Sequence, residues 1–423
     1  MRNTSINFIR PLLILIIFFS LPTGAIAAFQ QTISDFTEYK GLVVNSRNEE
    51  PLAGAYLSVQ NTNIATVTNS DGEFSLKIPK NLDNVDIQVS YLGFQSKVLP
   101  LQFFQQDQVV IALQESLEEL REVAVFTYTD PVALVRNMLE TRGTNYFKDR
   151  TTMTAFYREA IKRGRKNVSL SEAVVKIHKQ PYDSNAEDDI ALVKARKTAD
   201  YDRLDTVALK LRGGPYNPLS IDIMKNPTNI FNQEDLSNFE FNFDDPTKID
   251  DQYLYVVNFE ELDKSLPWYY GKLYIDANTF SLAKASFNLN VDNRSAATDL
   301  FVKKKPGGTK VYPVEVNYDI TYREKDGRWY FGYGHTELEF VVNWRRKLFN
   351  SRYKVNSELA VTNWEVNPEK VKKDDTFLSR RVIMNDDVTG FADLSFWGEN
   401  NIIEPDESIE SAIDKIRDKL ENN

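Results

Sequence analysis

The chain of 423 residues contains no cysteine. Structural disulfides, thiol nucleophiles, thiolate metal sites and a lipid-modified N-terminal cysteine are thereby excluded, and a hydrophobic core has to supply the stability. Histidine is nearly absent as well. His178 and His335 sit far apart, each inside a segment of strand character, and neither has the close partner that a His-Glu-x-x-His metal motif provides. No Gly-x-Ser-x-Gly elbow, phosphate-binding loop or Gly-x-Gly-x-x-Gly run occurs. These gaps disfavour serine, zinc and nucleotide hydrolases, and neither a cofactor nor a bound metal is expected. Positive charge is also in deficit: 51 Lys and Arg face 61 Asp and Glu, a net charge of −10 at pH 7. A surface of that sign repels nucleic acid and anionic membranes.

Long apolar runs are confined to the start of the chain. Residues 1–27 combine Arg2 and Arg10, an apolar run from Leu12 to Phe19 and the small-residue exit Ala25-Ile26-Ala27, which is the pattern of a cleavable signal peptide. Pro11, Ser20, Pro22 and Gly24 bracket the run, leaving it short of the ~20 apolar residues that span a bilayer. The expectation is an exported chain, periplasmic or outer-membrane-associated, with no transmembrane segment after cleavage. Its mature charge would be −12, from 49 Lys and Arg against 61 Asp and Glu. The length exceeds what one core ordinarily supports, so two or more domains are expected.

From Tyr39 to Leu113 the pattern is a ladder of short alternating segments: Gly41–Val44, Ala55–Val59, Glu73–Ile78, Val85–Tyr91 and Val109–Leu113. Asp71-Gly72 supplies the positive-φ residue of a tight hairpin, after which Phe74, Leu76 and Ile78 point to one face and Ser75 and Lys77 to the other. Strands of this spacing predict a small antiparallel sandwich over 38–114. Four runs carry a family likeness: Tyr39-Lys40-Gly41-Leu42-Val43, Pro51-Leu52-Ala53-Gly54-Ala55, Thr68-Asn69-Ser70-Asp71-Gly72-Glu73-Phe74 and Ser90-Tyr91-Leu92-Gly93-Phe94. In this order they resemble the carboxypeptidase-regulatory-like (transthyretin-like) domain found at the N-termini of Bacteroidota envelope proteins. The resemblance implies an accessory module without zinc or peptidase activity. Asn69, Ser70 and Asp71 lack the spaced acidic ligands of a calcium loop and read as turn chemistry.

A charged linker, 115–128, leads into a second domain over 129–423. Asp130 and Pro131 start a helix over 131–142 with Val132, Val135, Met138 and Leu139 on one face, and a second helix over 406–421 is capped by Asp406 and carries Ile409, Ile413, Ile416 and Leu420. Between them the pattern is β. Ala283, Ala285, Phe287, Leu289 and Val291 alternate with polar residues, as do Val314, Val316, Tyr318, Ile320 and Tyr322. Such strands have one wet and one dry face. Lys325-Asp326-Gly327 and Asp276-Ala277-Asn278-Thr279 make hairpin turns. The fold class expected is mainly β: a transthyretin-like sandwich followed by a large curved antiparallel sheet, half-barrel-like, its apolar face covered by the two helices. The hairpin around Gly271–Asp276 is similar to one in periplasmic lipoprotein carriers. Ala155–Glu159, Ser171–Val175, Leu209–Pro215, Asp222–Asn226 and Phe396–Asn401 resemble segments of uncharacterised Bacteroidota proteins bearing the same N-terminal module, a likeness that implies location and little chemistry.

The basic runs Lys162–Lys166, Lys303–Lys305 and Arg345–Lys347 read as solvated turns and strand-edge charges. Adjacent acidic pairs, Asp188-Asp189, Asp244-Asp245, Asp250-Asp251, Asp374-Asp375 and Asp386-Asp387, keep a carboxylate glycan or peptide hydrolase open as the rival reading. Neighbours on a strand point oppositely, however, whereas a glycosidase pair must face across about 5–10 Å. Trp268, Tyr269, Tyr270 and Trp329 are the candidate ligand-binding residues, able to line an apolar pocket or to serve simply as cross-strand pairs. The leading expectation is a non-enzymatic envelope protein that binds or scaffolds, with an outer-membrane protein or a lipid as partner and no nucleic acid. A soluble remnant of an outer-membrane transporter is a third reading, opposed by the polar helix near the end of the sequence.

Overall fold

The computed structural model describes residues 35–106, 109–116, 127–164, 166–199, 214–231, 233–249, 252–301, 308–345, 348–382, 389–393 and 395–421. The expected signal peptide, most of the expected linker, Leu209–Gly213, Lys303–Lys305 and the pairs Asp250-Asp251 and Asp386-Asp387 lie outside them.

The ladder at the start folds as seven strands: β1 (Phe36–Asn45), β2 (Tyr56–Val59), β3 (Ala65–Val67), β4 (Glu73–Pro79), β5 (Asp86–Ser90), β6 (Lys97–Pro100) and β7 (Val109–Leu113). Two sheets, in the orders β4-β1-β7 and β3-β2-β5-β6, close on Val43, Leu57, Phe74, Leu76, Ile87 and Val89. The short β3 and β6 leave no periodic signal. β7 joins β1 in parallel, a departure from the wholly antiparallel expectation, because the chain crosses to the other sheet before returning. At the hairpin before β4, Asn69 Oδ1 accepts from the backbone N–H of Asp71 and of Glu73, and Gly72 takes φ +76°. A Cβ on Gly72 would lie 2.6 Å from the Val43 carbonyl oxygen, so only glycine fits.

Downstream come α1 (Pro131–Glu140), α2 (Arg142–Asn145), β8 (Thr151–Arg163), β9 (Lys166–Lys179), β10 (Asp189–Ala199), α3 (Tyr216–Ser220), β11 (Phe239–Ile249), β12 (Gln252–Glu261), β13 (Tyr269–Asp276), β14 (Leu282–Leu289), α4 (Arg294–Phe301), β15 (Thr309–Lys325), β16 (Arg328–Trp344), β17 (Ser351–Val366) and α5 (Glu407–Glu421). The ten strands make one antiparallel sheet in the order β10-β9-β8-β17-β16-β15-β14-β13-β12-β11. The expected turns are in place: Asp326 and Gly327 adopt φ of 52° and 73°, and Asp276 Oδ1 accepts from the N–H groups of Asn278 and Thr279. A bulge between Pro313 and Glu315 shifts the alternation of β15, so Val314 is half-buried rather than part of the stripe of Val316, Tyr318, Ile320 and Tyr322.

One face of this sheet, the inner face, is covered by the chain itself. Leu134, Val135, Met138 and Leu139 of α1 pack there, with Tyr216, Leu219, Ile223, Met224 and Phe231 of the strip 214–231. Gly334 of β16 permits the strip's approach, since a Cβ there would lie 2.7 Å from the Pro218 carbonyl oxygen. The helix start is the expected one, with Asp130 Oδ1 accepting from the Val132 N–H at 2.9 Å.

The second expected cover is on the other side. Helix α5 begins as expected, with Asp406 Oδ1 accepting from the Ile409 N–H, but Ile409 and Ile413 pack on Ala160 and Leu170 of the outer face and on Phe391 of the turn 389–391. The cause is that β8, β9 and β17 are apolar on both sides: Phe156, Val174 and Ala360 also point outward, onto Tyr56, Ala65 and Val67 of the sandwich and Phe396, Trp397, Ile402 and Ile403. The sandwich face of β4 that should be wet is likewise covered. Lys77 donates from Nζ to the Gly398 carbonyl, and its backbone exchanges hydrogen bonds with the Asn401 amide. Ser70 and Asp71 meet the start of α5, through the Asp406 carboxylate and the Glu407 N–H.

Candidate functional site

The strip 214–231 does not fill the inner face completely. Between it and β13–β17 remains a cavity of about 340 Å³. Period-two alternation sets its walls: Tyr269 of β13, Phe287 of β14 and Tyr318 of β15 all point inward. Phe287 and Tyr318 stack at 5.0 Å with 20° between their planes, and Tyr269 meets both edge-on at 5.6 and 5.9 Å. Ile221, Ile230, Asn217 and Asn229 form the roof, Phe301 of α4 adds to the wall, and Leu338, Thr336 and Ser357 form the floor. That size and that lining, four aromatic rings and three aliphatic side chains with Asn, Ser and Thr between them, suit a small amphipathic or apolar ligand.

Polar groups lie on both sides, Asn217, Ser220 and Asn229 on the strip and Thr336 and Ser357 at the floor. Thr336 Oγ1 is buried with no hydrogen-bond partner among the described residues. Ser357 sits opposite Glu159 in the register of β17 and β8. Burial pushes the Glu159 carboxyl up to about 7, although the Tyr157 hydroxyl, which donates to its Oε2 at 2.9 Å, and Lys197 pull the other way. Burial also drives the Tyr318 phenol well above its ordinary value, so the pocket wall is uncharged at neutral pH.

The four expected ligand residues do not converge. Tyr269 lines the cavity, whereas Trp268 stacks on Phe239 at 5.7 Å. Tyr270 points to the opposite face and is 41% exposed. Trp329, 2% exposed, lies at the far end of β16 beside Tyr146. Sequence reasoning missed Phe287, Tyr318, Thr336, Leu338 and Ser357. The first two stood in recognised strands, but only the pairing order puts them beside Tyr269.

Two carboxylates do face each other elsewhere. Asp188 and Asp222 both accept from Lys179 Nζ, at 2.6 and 2.7 Å, while Asp222 also accepts from the Tyr322 hydroxyl. All three charged groups are buried, and the lysine between the carboxylates occupies the place that a substrate would need. The adjacent pairs are separated: Asp189 pairs with Lys373, and Asp244 with Lys272. His178 stacks on Phe377, and His335 lies 3.9 Å from Asp319. Among the described residues, no three His, Asp or Glu side chains are placed to hold a metal ion.

The conspicuous segments Ala155–Glu159, Ser171–Val175 and Phe396–Asn401 turn out to be framework of the large sheet and its outer face. Glu172 takes hydrogen bonds from Arg158 and from Arg196, all three buried. Arg158 goes on to the carbonyls of Ile403 and Glu404, and Arg196 to that of Gly390, with its guanidinium 5.0 Å from the Trp397 ring centroid. The ion cluster therefore fixes the segments 389–393 and 395–405 that hold the sandwich against the sheet.

Residues 39–125 match the family model of the CarboxypepD_reg-like domain. The chain carries this domain at its N-terminus. The regulatory-like domain is about a fifth of the molecule, and no curated protein sequence matches the chain. Among solved structures, an outer membrane lipoprotein-sorting protein domain from Vibrio parahaemolyticus is 11% identical, with 57% of this chain and 94% of that one covered at a TM-score of 0.25. The LolA superfamily protein NE2245 from Nitrosomonas europaea is 12% identical, with 56% and 94% covered at 0.24. MucB is 11% identical, with 57% and 99% covered at 0.19. At TM-scores this low, the functional case beyond the regulatory-like domain rests on the chain's own geometry.

Proposed function

We propose that the protein is a non-enzymatic binding protein of the cell envelope that holds a small apolar ligand, such as one acyl chain of a lipid, in the inner-face pocket. The observation that carries this reading is the cavity of about 340 Å³ walled by Tyr269, Phe287 and Tyr318 over a floor of Thr336 and Ser357. An apolar ligand gains there by leaving water, and the unpartnered Thr336 hydroxyl offers one hydrogen bond to orient it. The hydrolase reading finds no support in the carboxylates, since the facing pair is closed on Lys179. Export is supported by the signal-peptide pattern of residues 1–27. Among the described residues no helix is long and apolar enough to cross a membrane. The regulatory-like domain has the role of a docked accessory module, available to an envelope protein partner.

The test is organic extraction of the natively purified protein followed by mass spectrometry. One apolar molecule per chain, lost from a Ser220→Trp variant whose new ring closes the pocket at its exposed lining residue Ser220, is the expected result. Extracts of wild type and variant that are equally empty, together with no heat on titrating palmitate, would overturn the reading.

A further inference from the structure

The alternation of strand directions brings several chain reversals to one end of the ten-stranded sheet. Pairing of Thr309 with Trp344, Val342 with Ser351, Tyr353 with Arg163 and Arg163 with Lys166 places the ends of β15, β16, β17, β8 and β9 side by side there. Between β16 and β17 the chain presents Leu348 and Phe349, 96% and 84% exposed, the two most exposed large apolar side chains of the described molecule. Leu300 of α4, 49% exposed, is close by, since Thr298 donates to the Val311 carbonyl near the start of β15.

The charge around these side chains is of the sign opposite to that of the whole chain. Lys166, Lys310 and Arg345 are exposed at this end and Arg163 is half-buried there, against one exposed carboxylate beside Leu300, Asp299, and Glu339 of β16, which is taken up by Arg352. In the sequence Arg165, Arg346 and Lys347 adjoin these positions and carry the same sign. Leu348 and Phe349 are adjacent at one loop tip, and an exposed apolar patch rimmed by polar and charged groups is the pattern of a contact with a partner or a membrane. A ring of cations around two apolar side chains matches a surface that is anionic outside and apolar a few ångströms below.

We infer that this end of the sheet docks on an anionic lipid surface, with Leu348 and Phe349 entering the interface and Arg345, Lys310, Lys166 and Arg163 facing the headgroups. The inner-face pocket opens on the same sheet, but the docking does not depend on its being filled. Charge draws the tip in, against the repulsion of the acidic remainder, and so fixes the orientation of the whole molecule on the surface.

Co-sedimentation of the full mature chain with vesicles tests this directly. Vesicles of phosphatidylethanolamine with about 30% phosphatidylglycerol, whose negative surface potential attracts basic segments, should carry down the protein, and vesicles of phosphatidylcholine should not. A Leu348→Ser/Phe349→Ser double variant should lose at least about tenfold in partitioning at unchanged thermal melting, as should an Arg345→Glu/Lys310→Glu variant, and 0.5 M salt should release the wild type, since screening at that strength shortens the range of charge to about 4 Å. Equal partitioning of the wild type and the double variant, or no binding to anionic vesicles, would overturn the inference. So would a wild type that is dimeric in sedimentation velocity when the double variant is monomeric, which would make the tip an interface between copies of the chain.

Discussion

Glu172 is a buried carboxylate that burial alone would protonate, yet Arg158 and Arg196 outweigh that effect and hold it below its ordinary value. Removing it strands two buried guanidinium groups, so Glu172→Ala should cost about 3–5 kcal/mol, read as a fall in the urea midpoint; a cost below about 1 kcal/mol would mean the cluster is solvated. Glu159, on the neighbouring strand, lacks such partners and is pushed up to about 7 from 4.5. Its raised value means that the folded state holds the proton more tightly. The stability linked to that proton is full below pH 4.5 and is lost as pH rises through 7. Glu159→Gln should therefore match the wild type at pH 4 and exceed it at pH 8 by about 2 kcal/mol, the full shift being discounted for the carboxyl's partial exposure. Identical urea curves at both pH values would contradict this. The helix caps Asp130 and Asp406 and the Asp71-Gly72 turn were legible in the sequence, because each acts on residues within a few positions of itself. The ion clusters were not, since the partners of Arg158 reach as far as Glu404.

At the scale of elements, the same locality decides what could be read. The β15–β16 and β13–β14 hairpins followed from alternation and turn residues, and the stripes of α1 and α5 from their periods. What an amphipathic stripe cannot say is which face of a sheet it meets, and α5 meets the outer one. The strip 214–231 was also invisible, because short helical turns carry too few residues for a period. Its seat on the sheet depends on Gly334, where a Cβ would press on Pro218 and the Phe331 ring. Gly334→Ala should cost about 1–3 kcal/mol by overpacking, and should raise amide exchange across Ile221–Phe231 before the rest of the sheet opens. Unchanged exchange there would show that the strip adjusts without loss.

At the scale of the molecule, the regulatory-like domain and the sheet are joined by a shared core and by a chain of hydrogen bonds through the segment 398–407. Asn401→Ala leaves the Lys77 backbone groups without partners, a cost of about 1–3 kcal/mol. It should split a single calorimetric transition into two; one transition at a lower temperature would place the coupling in the apolar core instead. The functional proposal stands on the pocket that the strip leaves on the inner face, walled by rings contributed from three strands. Its most direct test is the equilibrium binding of a dansyl-labelled fatty acid, followed by fluorescence, to delipidated wild type and to Ser220→Trp. Saturable one-to-one binding with a blue-shifted emission, weakened at least about tenfold in the folded variant, is the expected result. Absence of saturable binding to the wild type, or equal binding by both proteins, would contradict it.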